Sequence, residues 1–174
     1  MTESPPPPAR RPPLTDVFRH RNYRLFFAGQ LLSLMGSWMQ TIGQAWLVYK
    51  LTGSPLALGL IGFLQQGPVF FFSVLGGTVA DRVDRRRLIM LTQAAFLVQA
   101  ATLAVLSFTG LVELWHVACL ALVFGLLNAV DVPTRQSFTV EMVGRADLQS
   151  AIALNSIMFN MARVVGPAVA GVTI

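Results

Sequence analysis

Residues Leu88–Val112, with the sequence LIMLTQAAFLVQAATLAVLSFTGLV, run for 25 residues without a charged side chain. A helix needs about 20 mostly apolar residues to cross the hydrocarbon core of a bilayer. A strand of a membrane barrel would instead alternate apolar and polar residues over about ten positions. Apolar side chains occupy successive positions here, so the stretch predicts a transmembrane helix rather than a barrel strand.

Further apolar runs of similar length lie on both sides of this stretch. The turn signal Thr52-Gly53-Ser54-Pro55 divides the first of them from the second, and Arg163 is the one charge inside the last. The sequence therefore predicts an all-α membrane protein with five spanning helices, at about residues 25–49, 55–80, 88–110, 114–134 and 148–174. Residues 1–24 form a leader rich in proline and arginine that precedes the first helix.

Composition supports a membrane protein and excludes two other classes. Of the 174 residues, 54% are hydrophobic and 12% are charged, whereas about a quarter of an average soluble domain is charged. A disordered chain would be more polar than this. Cys119 is the single cysteine, so the chain cannot be a small secreted domain held by internal disulfides.

The basic residues predict the orientation in the membrane. Eleven arginines lie in segments 1–24, 81–87 and 134–147, and Lys50 is the basic residue on the other side. Cytoplasmic loops carry the excess of lysine and arginine, so the N-terminus is expected in the cytoplasm. The formal net charge of +5 then reflects topology, and we expect no nucleic-acid partner.

Polar residues cluster on one face of the first predicted helix. They span an arc of about 100° at helical spacing: Gln30, Ser33, Ser37, Gln40, Thr41 and Gln44. Gly29, Gly36 and Gly43 run beside this arc and predict close contact with a neighbouring helix. Hydrogen bonds between helices would explain the arc, but six polar residues together favour a hydrated cavity.

The other four helices carry shorter polar stripes, which indicates a bundle around a wet space rather than a simple anchor. The lipid bilayer is then one partner.

Enzymatic and metal chemistry find no support in the sequence. The phosphate-binding, zinc-protease and serine-hydrolase patterns GxxxxGK[ST], HExxH and GxSxG do not occur. His20 and His116 lie at opposite membrane boundaries and cannot form one metal site. We expect no enzyme activity, no metal and no cofactor.

The segment between the second and third helices, GTVADRVDRRR at residues 77–87, is the most specific motif. It resembles the loop signature of the major facilitator superfamily, roughly G-x-L-A-D-R-x-G-R-R/K. Val79 replaces the leucine and Asp84 replaces the second glycine. The matching residues are Gly77, Ala80, Asp81, Arg82, Arg85 and Arg86, and the resemblance implies that Asp81 and the arginines form a cytoplasmic gate.

Two weaker motifs lie in the last two helices. Asp131 and Arg135 are four residues apart and could pair, although a simple cap of the helix is equally consistent. The superfamily often has an arginine deeper in this helix, and that residue is missing here. Gly166-Pro167 with Gly171 resembles the fifth-helix motif G-P-x-x-G-G of superfamily antiporters, with alanine in place of one glycine.

From about residue 15 to residue 174 the chain resembles the enterobactin-exporter-like branch, also called transmembrane secretion effectors. The resemblance implies the N-terminal part of a twelve-helix transporter in the bacterial inner membrane, working by alternating access. It also implies proton-coupled export of siderophores, drugs or similar amphipathic molecules, with a missing C-terminal half as partner. A small-molecule substrate would then face polar side chains of the interior, and the candidates are Gln40, Gln44, Gln66, Asn160 and Arg163. The alternative is a truncated, non-transporting scaffold that shares the fold.

Overall fold

The computed structural model describes residues 16–19 and 21–173, and all its regular elements in those ranges are helical. A short 3-10 helix at Asp16–Arg19 is followed by α1 (Arg21–Thr52), α2 (Pro55–Arg82) and α3 (Arg85–Phe108). A last helical stretch covers Leu114–Thr173. The predicted all-α class is thereby confirmed. Residues 1–15 of the predicted leader lie outside the described residues.

Gly144 divides the last helical stretch into two helices. Its backbone is non-helical, with φ 68° and ψ −178°, a conformation that is essentially restricted to glycine. We name the two apolar segments on either side α4 (Leu114–Gly144) and α5 (Asp147–Val172). Helix α4 therefore ends ten residues beyond the predicted boundary at 134, because apolar character marks the membrane edge and not the end of a helix.

Four of the helices, α2 to α5, are long and apolar enough to cross a membrane. Helix α1 has 32 residues, which is more than the length required. It is less apolar because of its polar arc, and it is not among those four. It also begins at Arg21, inside the predicted leader.

Two tight connections follow from local capping. Ser54 precedes α2 and its hydroxyl accepts a hydrogen bond from the Ala57 amide at 3.4 Å, while Pro55 occupies the first turn. Asp84 caps α3 in the same way by accepting from the Arg87 amide at 3.1 Å. Asp84 replaces the glycine of the superfamily loop motif, and its capping role explains why an acidic residue fits there.

Glycines set the closest helix contacts, but not the glycines that the sequence suggested. A Cβ built at Gly76 of α2 would overlap the Ala129 carbonyl of α4, and one at Gly125 of α4 would overlap the Leu64 carbonyl of α2. Gly166 of α5 approaches α1 at Trp38 in the same manner. The prediction for Gly29, Gly36 and Gly43 was wrong, since a Cβ at each of them would meet no atom within 4 Å.

Candidate functional site

A hydrogen-bonded glutamine pair joins α1, α2 and α4. Gln65 donates from Nε2 to Oε1 of Gln44 at 3.1 Å, and Gln44 donates to the Val117 carbonyl at 3.4 Å. Gln44 is only 2% exposed. Amide groups buried among helices must be bonded to one another or to the backbone, and this pair meets that requirement.

A second polar link joins α1, α3 and α4. Gln40 donates to Oε1 of Gln99 at 3.0 Å, and Gln99 donates to the Leu120 carbonyl at 3.2 Å. Ser33 donates to Oε1 of Gln93 on α3 at 2.9 Å. Much of the polar arc of α1 therefore bonds to neighbouring helices, which is the reading that the sequence did not favour.

The arc nevertheless borders an open groove of about 700 Å³ between α1 and α3. Gly36 and Gly43 line it, which accounts for the open space around them. Most of its remaining lining is apolar, including Phe96, Leu97 and Phe124. The groove thus has one polar wall and one apolar wall.

Gln66, a predicted substrate-facing residue, does not lie with Gln40 and Gln44. It is exposed, whereas its neighbour Gln65 is buried against α1. The sequence missed Gln65 because α2 is apolar on nearly all sides, so its few polar residues do not fix which face turns inward. The adjacent glutamines mark this turn as polar, but the sequence does not tell which of the two faces α1.

The two predicted residues of α5 are both exposed. Asn160 donates back to the Ser156 carbonyl at 2.8 Å. The guanidinium carbon of Arg163 lies 5.7 Å from the ring centre of Trp38, which is a cation–π distance. Trp38 also packs edge to face on Phe159. Arg163 is therefore held over α1.

The loop motif forms an ion-pair network at the elbow between α2 and α3. Arg85 donates from Nη2 to Oδ1 of Asp81 and from Nη1 to Oε2 of Glu141, each at 3.1 Å. Arg82 and Arg86 are exposed. Sequence reasoning missed Glu141, which lies near the end of α4 and connects the elbow to that helix.

The glycines and proline of the superfamily-like motifs differ in their surroundings. Gly77 and Gly171 would accommodate a Cβ without any contact inside 4 Å. Gly166 alone of these glycines sits in a tight contact, and Pro167 lies inside α5 next to it. The helix 5 motif thus acts at its first glycine, where α5 meets α1.

Asp131 and Arg135 form a buried ion pair on α4. Nη2 of Arg135 lies 2.5 Å from Oδ2 of Asp131, and the two side chains are 12% and 2% exposed. Thr92 of α3 donates to the other carboxylate oxygen at 2.5 Å. The sequence left open whether Asp131 pairs with Arg135 or caps the helix. The structure shows the ion pair, buried inside the bundle.

A smaller cavity of about 220 Å³ adjoins this pair between α1, α4 and α5. Its polar lining residues are Gln30, Asn128, Asp131, Arg135, Gln136, Thr139 and Asn155. Nothing among the described residues brings three histidine, cysteine, aspartate or glutamate side chains together for a metal ion. His20 lies outside the described residues.

Comparison with known proteins identifies the family of this bundle. The family model described as transmembrane secretion effector matches residues 14–174. The chain is 31% identical over 151 residues to the staphyloferrin A transporter of Staphylococcus aureus, covering 86% of this chain and 38% of that protein. It is 26% identical over 166 residues to the multidrug efflux pump Tap of Mycolicibacterium fortuitum, covering 92% and 40%.

The enterobactin exporter EntS of Salmonella choleraesuis is 24% identical over 153 residues, which cover 88% of this chain and 37% of the exporter. The chain thus spans about two fifths of the length of these curated relatives. No solved structure matches it. Because the family model covers nearly the whole chain, the protein belongs to the transmembrane secretion effector family of major facilitator transporters.

Proposed function

We propose that this chain is the N-terminal part of a secondary active exporter of a siderophore, a drug or a similar small amphipathic molecule. The observation that carries the proposal is the family match over residues 14–174. The relatives include transporters named for siderophores and for multidrug efflux. Four helices of transmembrane length and the bonded polar interior support the same class of function.

Transport would proceed by alternating access, with this chain paired to a C-terminal half. Major facilitator transporters consist of two six-helix halves, and substrate binds near the midplane between them. Asn160, Arg163 and Gln66 are exposed polar residues on apolar helices, and we assign them to the face that meets the substrate or the second half. Gln44 instead bonds α1 to α2 and α4, and Gln40 bonds α1 to Gln99 of α3.

We further propose proton coupling and a bacterial inner-membrane location with a cytoplasmic N-terminus. The excess of arginine in segments 1–24, 81–87 and 134–147 supports this orientation. In this orientation the network of Asp81, Arg85 and Glu141 would lie at the cytoplasmic surface. There the network would latch the elbow of α2 and α3 to α4 while the cytoplasmic side is closed.

The test is transport by the full-length protein, with both halves, in proteoliposomes with an imposed proton gradient. We expect a member of a siderophore and drug panel to drive proton movement, and a protonophore to abolish substrate accumulation. Residues 1–174 reconstituted alone should give no such movement, because a cavity between two halves needs both. Accumulation that survives the protonophore would contradict proton coupling, and activity of residues 1–174 alone would contradict the need for a second half.

The alternative function is a non-transporting scaffold that shares the fold. This chain covers only 37% to 40% of the length of its relatives, so the family match alone does not establish a complete transporter. Counting the hydrophobic spans encoded after Ile174 separates the two. About seven further spans support a transporter, and an immediate stop supports the scaffold.

A further inference from the structure

Arg135 has hydrogen-bonding capacity that the described residues do not use. Its Nη2 is bonded to Asp131, but its Nε is buried and has no partner among the described residues. A guanidinium carries five N–H donors, and a buried donor without a partner is costly. Because Nε has almost no exposed surface, a ligand would approach the guanidinium through the 12% of the Arg135 side chain that stays exposed.

The 220 Å³ cavity between α1, α4 and α5 is lined by Arg135 and supplies space for an acceptor next to it. Arg135 lines it together with amide side chains from three helices, including Gln30, Asn128 and Asn155. Phe26, Leu34 and Phe159 form its apolar wall. Binding sites for drug-sized ligands measure about 300–1,000 Å³, so this cavity fits one end group of a ligand and not a whole molecule.

We propose that this cavity is a subsite for a carboxylate group of the transported molecule, with Arg135 as its charged ligand. The planar guanidinium matches the two oxygens of a carboxylate and can bind them together. The amide side chains supply neutral donors around the same group. The proposal rests on the proposed function in one respect, since it assigns the group to the transport substrate.

Asp131 sets the affinity of this subsite by competing for the same cation. Its carboxylate is almost fully buried and already neutralises Arg135. Thr92 of α3 donates to the other oxygen of that carboxylate, so Asp131 is held by two partners. An incoming anion meets a site of no net charge, and removing the negative charge of Asp131 will therefore strengthen anion binding.

The test measures binding of radiolabelled succinate to the full-length protein in lipid nanodiscs by equilibrium dialysis. We expect saturable binding that unlabelled succinate displaces and that its uncharged dimethyl ester does not. Arg135→Gln should abolish it, and Arg135→Lys should weaken it about tenfold because the fork geometry is lost. Asp131→Asn should tighten it about tenfold through the lost competing charge.

The matched control is Arg87→Gln, which removes one positive charge at an exposed residue 3.9 Å from Asp84 and outside this cavity. It should bind succinate like the wild type. Each variant is checked for helical content by circular dichroism and for a monodisperse elution profile, so that lost binding is not lost folding. Arg135→Lys and Asp131→Asn keep shape closely and remain informative if Arg135→Gln fails to fold.

Equal binding by the wild type and a folded Arg135→Gln or Arg135→Lys variant would overturn the subsite, as would Asp131→Asn binding no tighter. Displacement by inorganic phosphate at lower concentration than by succinate would overturn the carboxylate assignment. Transport is measured separately in proteoliposomes. Succinate binding that depends on Arg135 in a protein that transports nothing would contradict the proposed function but not the subsite.

Discussion

Arg85 and Glu141 are bonded at 3.1 Å although 56 residues separate them in the chain. Arg85 begins α3 and Glu141 lies three residues before the break at Gly144. The same guanidinium binds Asp81 at the end of α2. One arginine thus joins three helix ends, and a change at either acid should loosen the elbow from α4.

The first prediction concerns this network. Glu141→Gln and Asp81→Asn should each shift the full-length transporter toward its cytoplasm-open state and slow turnover, with little loss of folded protein. An exposed pair contributes about 0–1 kcal/mol, and a bias of about 1 kcal/mol changes a two-state ratio about fivefold. Reactivity of a cysteine at Gly77, in a Cys119→Ala background, should rise in both variants.

Glu113→Gln is the control for this prediction, because Glu113 is an exposed acid at the other end of α4. It should leave the cysteine reactivity at Gly77 unchanged. If Glu141→Gln and Asp81→Asn behave like Glu113→Gln in both reactivity and turnover, the network is only a solvated surface cluster.

The ion-pair partners in this network show which contacts could be predicted from the sequence. Asp81 and Arg85 were predicted together because they lie four residues apart in one motif. Glu141 was not, since no local pattern links it to a residue 56 positions away. The number of helices followed from uncharged runs, but their ends and their rotation did not. Helix α2 is apolar all round, so the choice between Gln65 and Gln66 depends on tertiary packing.

The second prediction compares those two glutamines. Gln65→Ala removes the donor to Gln44 inside the bundle and should destabilise the fold by about 1–3 kcal/mol. Gln66→Ala changes an exposed side chain and should leave stability unchanged. Denaturation in detergent micelles, followed by circular dichroism, measures both. Equal stability of the two variants would mean that the Gln44–Gln65 bond contributes nothing.

The third prediction compares adjacent glycines. A Cβ at Gly76 would overlap the Ala129 carbonyl of α4, whereas one at Gly77 meets nothing within 4 Å. Gly76→Ala should therefore force α2 and α4 apart and destabilise the fold by about 1–3 kcal/mol, the usual range for overpacking. Gly77→Ala should fold like the wild type. The same micelle assay decides, and a wild-type midpoint for Gly76→Ala would show that the contact relaxes freely.

The fourth prediction concerns orientation. Thr52 ends α1 just before α2 begins, and Val83 caps the other end of α2. Single cysteines at these positions, in a Cys119→Ala background, should react with an impermeant thiol reagent from opposite faces of the membrane. The cysteine at Thr52 should label in intact cells and the one at Val83 only in inverted vesicles. Labelling of both from one face would contradict the arginine-based topology.

The last prediction concerns Arg163, the one charged residue inside the apolar part of α5. A charged side chain at the middle of a spanning helix costs about 2.5–3.5 kcal/mol on insertion scales and is seldom without a role. Its contact with the Trp38 ring is compatible with a packing role and with a cation offered to substrate. Arg163→Ala should insert normally and strongly reduce transport by the full-length protein, and Arg163→Lys should keep the charge but lose the planar fork.

Trp38→Leu separates the two roles, because it removes the ring and leaves the cation. Transport that falls equally in Trp38→Leu and Arg163→Ala would assign Arg163 to packing, and unchanged transport in Arg163→Ala at normal expression would remove it from the substrate path.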